Sequence, residues 1–108
     1  MNREHHNAVI DGLRYNTDTA THICNCDNGL SRSNNSWYRA DLYRTQRGHF
    51  FVAGRGGPYT IFGHLVGNSY TGGSGIRTLE PDNARAWMER AGCGEAAYEL
   101  AGLELQDA

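Results

Sequence analysis

The chain contains no lysine: all ten of its cationic residues are arginine, and only two prolines and three cysteines occur in 108 residues. Each shortage excludes something. Without lysine, neither GRGGP (residues 54–58) nor TGGSG (residues 71–75) can be a P-loop, which surrounds phosphates with backbone amides and a lysine ahead of a helix. Both stretches read as turns, the common use of clustered glycine. Three cysteines, Cys24, Cys26 and Cys93, are an odd number, so no complete disulfide framework is possible within one chain. Free thiols in a reducing compartment are the expectation. No run approaches the roughly 20 apolar residues of a membrane span. The polar start MNREHHNAVIDG lacks the apolar centre of a secretory signal, which points to a cytoplasmic protein without a membrane partner.

What remains is globular in character. Hydrophobic residues make up 39% of the chain, enough for one modest core, and its length suits one domain. Charge is unevenly spread. Residues 1–79 carry eight arginines against Glu4, Asp11, Asp18, Asp27 and Asp41, whereas residues 80–108 set seven acidic residues against Arg85 and Arg90. Such asymmetry can orient a partner. The net charge of −2 suits neither a dedicated DNA binder nor a whole-molecule DNA mimic.

Pattern reading predicts a single α+β domain over residues 1–108, with residues 1–7 as a flexible tail. AVIDGLRYNT is either one strand with a glycine irregularity or a very short hairpin about Asp11-Gly12. TDTATHICN suits a short helix opened by Thr17 or Asp18 as N-cap. DNGLSRSNNS is loop. SWYRADLYRT and HFFVAG form a hairpin around TQRG, with Gly48 in a left-handed bulge position. YTIFGHLVG is a further apolar piece and NSYTGGSG a flexible loop. GIRTLEP is a last strand leading into a helix with Pro81 in its first turn, apolar Ala84, Trp87, Met88 and Ala91, and Gly92 at its end. A second helix covers about Glu95 to Leu103. The expected architecture is an antiparallel three- to four-stranded sheet, a short N-terminal helix, and two C-terminal helices packed on one face.

Little of this carries catalytic chemistry. HICNC offers His22, Cys24 and Cys26, but zinc pairs are normally spaced C-x₂₋₄-C. On a strand, residues i and i+2 share a face and can chelate. On the helix expected here they diverge by about 200°, so no metal or cofactor is expected. No Cys–His pair or carboxylate pair is marked out as catalytic, and the chain reads as non-enzymatic.

Two surfaces are candidates for a partner. The hairpin supplies Arg39, Tyr43, Arg44, Arg47 and Arg55, with Tyr59 just beyond, and arginine and tyrosine are enriched among interface anchors. The acidic helical end supplies Glu89, Glu95 and Glu99. The same arginines with Phe50 and Phe51 form the alternative, a nucleic-acid-binding ribbon. Strand alternation limits that reading, because at most half of these side chains share a face.

Four segments, DGLRYNTDTA at Asp11–Ala20, LYRTQRGHFF at Leu42–Phe51, GRGGP at Gly54–Pro58 and ARAW at Ala84–Trp87, occur in an order that resembles small bacterial proteins carried on phages, prophages and plasmids. Asp11 in place of the usual asparagine, Arg55 in place of an acidic residue, and the HICNCD segment depart from that pattern. The size and the lack of catalytic motifs are similar to those of anti-CRISPR proteins. The resemblance implies an inhibitor of host defence that binds a CRISPR effector complex and blocks DNA recognition or nuclease recruitment. It leaves the contacting face and the oligomeric state open.

Overall fold

The computed structural model describes residues 4–108. Strands β1 (Asn7–Ile10) and β2 (Leu13–Asn16) form a hairpin of their own. Asp11 and Gly12 both have positive φ, +52° and +77°, as a two-residue type I′ turn requires. This resolves the N-terminal alternatives in favour of the short hairpin. The expected tail gives way to strand at Asn7, and its residues 1–3 lie outside the described residues. A Cβ at Gly12 would meet nothing within 4 Å, so only its backbone resists substitution. Gly12→Ala should lower stability by about 1 kcal/mol, read as a shift in the urea midpoint at unchanged slope.

The main sheet is four-stranded, in the order β3 (Thr21–Asn25), β4 (Tyr38–Arg44), β5 (Phe50–Gly56), β8 (Gly73–Leu79), and all its pairs are antiparallel. The turn between β4 and β5 has Gly48 at φ +89°, and the Gly48 N–H donates to the Thr45 carbonyl at 2.9 Å. Between β5 and β8 a third ribbon emerges, β6 (His64–Val66) paired with β7 (Ser69–Thr71). Part of the expected flexible loop is therefore strand. Helices α1 (Pro81–Ala91) and α2 (Glu95–Ala101) follow, ended by Gly92 and Gly102 at φ +69° and +68°.

The expected N-terminal helix does not form. Asn16 instead organises Thr17–Ala20 as a turn: its side chain accepts from the Asp18 N–H at 2.8 Å, and its carbonyl accepts from the Ala20 N–H at 3.1 Å. The next five residues become the edge strand β3. Capping residues also make turns, and strand pairing with β4 decided between the two.

The sheet is covered on both faces. Leu42, Phe50 and Val52 meet Trp87, Met88 and Tyr98 of the helices, the single helix-bearing face that was expected. Tyr43, Phe51, Ala53 and Ile76 point the other way and meet Tyr15 of the β1–β2 hairpin. Strand β5 is consequently buried at every position but Arg55, which explains its near-continuous apolar run. Among the described residues, no helix is long and apolar enough to cross a membrane.

Candidate functional site

The arginines of the β4–β5 hairpin do not make one surface. Arg39 and Arg55 are exposed, directly opposed cross-strand neighbours at one end of the sheet. Such like charges repel, and Glu4 relieves the repulsion by forming an ion pair with Arg55. Burial raises the Glu4 carboxyl, but His6 and Arg55 together outweigh it and hold the group below its ordinary value. The same groove contains the His22 Nε2–Asp41 Oδ1 contact at 2.8 Å, so its charge is mixed.

Arg44 lies at the other end and faces the helices. Its guanidinium packs beside Gly102 at the C-terminus of α2, where a cation complements the helix dipole. Arg47 is exposed at the tip of the turn. Tyr43 is only 2% exposed and stacks on Phe51 with ring centroids 5.1 Å apart, so it leaves the set of surface anchors and joins the core. Alternation along β4 turned it inward beneath the β1–β2 hairpin. Glu89, Glu95 and Glu99 are exposed on the two helices, away from the β1–β2 face.

The largest departure from a sealed surface is the β6–β7 ribbon. All six of its residues are exposed, including Leu65 at 58%, Val66 at 58% and Tyr70 at 62%. Leu65 and Tyr70 are direct cross-strand partners, which places their side chains together on one face. Tyr59, 70% exposed, stands in the preceding loop. The base of the ribbon is anchored. Phe62 is fully buried, the Arg77 guanidinium lies over its ring at 5.6 Å, and Arg77 Nε donates to the Ile61 carbonyl at 3.0 Å. Exposed apolar side chains on a fixed base are suited to protein contact. Of this group only Tyr59 was expected from sequence. The available signal was Gly67-Asn68, a hairpin dipeptide between two short β-forming runs.

The cysteines also depart from expectation. Cys24 and Cys93 are joined as a disulfide linking the sheet edge to the α1–α2 turn, so two of the three expected free thiols are paired. The helix argument against chelation falls as well, because Cys24 lies in β3. A register shift between His22 and Cys24 turns both Ile23 and Cys24 toward the helix layer. Cys26 remains a free thiol, 1% exposed, with its sulfur 3.7 Å from that of Cys24.

Burial, followed by Asp41 and Asp27, pushes the Cys26 thiol from its ordinary 9.0 up to about 12, against the opposing influence of Arg90. The folded chain thus holds this proton more tightly than the unfolded chain does. The corresponding stability is present below pH 9.0 and is lost as pH rises toward 12. Urea unfolding from about pH 8 upward should show a falling midpoint whose decline is shallower in Cys26→Ala. Tyr38 is raised chiefly by burial and in part by Cys26 itself, so the comparison is made in a Tyr38→Phe background.

No family model, curated protein or solved structure matches this chain.

Proposed function

We propose that this chain is a non-enzymatic inhibitor of host defence encoded by a mobile element, acting in the bacterial cytoplasm by binding a CRISPR effector complex and covering a surface needed for target DNA or nuclease recruitment. The observation that carries the binding reading is the anchored ribbon with exposed Leu65, Val66 and Tyr70. The motif order at Asp11–Ala20, Leu42–Phe51, Gly54–Pro58 and Ala84–Trp87 supports a mobile-element origin, and the small size supports the choice of partner.

A standard interface takes about 800 Å² from each partner. That is a small part of the 7103 Å² this molecule exposes, so one side of it suffices. The nucleic-acid alternative is weakened by the dispersal of its arginines. Arg55 is paired with Glu4, and Arg44 packs against Gly102. A phosphate-tracking groove needs cations aligned along one path.

The test is to add the purified protein to a reconstituted CRISPR effector and follow its binding to target DNA. Loss of target binding or cleavage, together with co-elution of protein and effector, supports the proposal. Co-elution with none of a panel of effector types would overturn it. A salt-dependent shift of DNA by the isolated protein, lost on Arg39→Ala plus Arg47→Ala, would favour the alternative.

A further inference from the structure

Three sulfurs converge where the helix layer meets the edge of the sheet. Cys24 lies in β3, Cys26 just beyond its end, and Cys93 in the turn between α1 and α2. All three sulfurs fall within 4.8 Å of one another. Backbone contacts on separate elements fix their positions. The Cys26 N–H donates to the Ala40 carbonyl at 2.8 Å, and the Cys93 N–H donates to the Met88 carbonyl at 3.1 Å, as part of the α1 C-cap. The cluster is therefore held by the sheet edge and a helix end as well as by the disulfide.

A disulfide needs only two of these groups. The third, Cys26, is buried against Cys24 with a sulfur–sulfur distance of 3.7 Å. Two thiolates bound to one tetrahedral zinc at about 2.3 Å stand about 3.8 Å apart, so this spacing suits co-ligands. The Cα atoms of Cys24 and Cys93 are 6.6 Å apart, which also leaves room for both sulfurs to meet one ion when they are not bonded to each other.

We propose that the reduced chain binds one thiophilic divalent cation of the zinc class through Cys24, Cys26 and Cys93. A low-molecular-weight thiol is the reductant: two of its molecules become a disulfide and deliver two electrons and two protons, leaving Cys24 and Cys93 as thiols. Cation binding then forms three metal–sulfur bonds and releases three protons to solvent. Cys24 and Cys93 are partly exposed, so water can fill a fourth position. Bound metal would fasten the helices to the sheet edge in a reducing cell, where the disulfide would not persist. The site is independent of the inhibitor reading.

The experiment uses the full chain, reduced without oxygen, loaded with zinc, freed of excess metal and assayed by elemental analysis. About one zinc per chain is expected, falling at least about tenfold in Cys26→Ala and in Cys93→Ala. The oxidised protein, with Cys24–Cys93 intact, should bind none. Cobalt loading of the reduced wild type adds a readout that survives misfolding of any variant, because thiolate-to-cobalt charge transfer reports sulfur ligation directly. Reduced wild type without zinc, a full equivalent in Cys26→Ala, or cobalt bound without a thiolate band would each overturn the proposal.

Discussion

Gly54→Ala is expected to cost about 3 kcal/mol or more, a large part of the stability of a domain this size. Gly54 lies at the centre of β5, opposite Ala40 on β4 and Gly75 on β8. A Cβ there would stand 2.1 Å from the Arg39 carbonyl oxygen and 2.7 Å from the Ala40 Cα. Both atoms belong to the neighbouring backbone and cannot rotate away as a side chain can. Relief requires β4 and β5 to separate, and the buried strand pair at the middle of the molecule is lost with them. The contrast with Gly12→Ala separates two physical causes. Gly12 resists a side chain through its positive φ alone, whereas Gly54 resists through contact. Urea unfolding of the two variants checks the difference. A Gly54→Ala midpoint close to that of wild type would refute the β4–β5 register described here.

Leu65→Asp combined with Tyr70→Asp is expected to abolish inhibition, weakening effector binding by about 30-fold or more, the effect of losing one interface hot spot of about 2 kcal/mol. The two side chains face each other across the ribbon and are more than half exposed, so the folded chain has little packing to lose. Stability should stay within about 0.5 kcal/mol of wild type, as for ordinary surface substitutions. Binding and thermal unfolding measured on the same preparations keep the two effects apart. Glu89→Ala combined with Glu99→Ala provides the opposite arm, since it removes charge from the helical end and leaves the ribbon intact. Full binding by the Leu65/Tyr70 variant and loss in the glutamate variant would move the interface to the acidic helices.

The readings that succeeded rest on short-range signals. Pro81, Asp82 and Gly92 bracket α1, and Gly48 marks the bulged turn of the β4–β5 hairpin. Each acts within a few residues of chain, so local sequence carries the information. The readings that failed required distant partners. Thr17 and Asp18 are good helix caps taken alone, but residues 21–25 pair with β4 and become an edge strand. Tyr43 alternates with surface arginines in sequence, but the β1–β2 hairpin covers its face of the sheet.

The sequence by itself determined one α+β domain, its two C-terminal helices and its central hairpin, because periodicity, caps and turn residues are properties of neighbouring positions. Tertiary structure alone decided where the side chains meet. It divided Arg39 and Arg55 from Arg44, buried Tyr43 and left Leu65 and Tyr70 outside. It also brought Cys93 to Cys24, across a sequence separation of 69, and to Cys26. The physical reason is the same in each case. Strand register and the packing of helices on a sheet join residues that no local pattern connects, and a one-residue change of register sends every side chain of a strand to the opposite face.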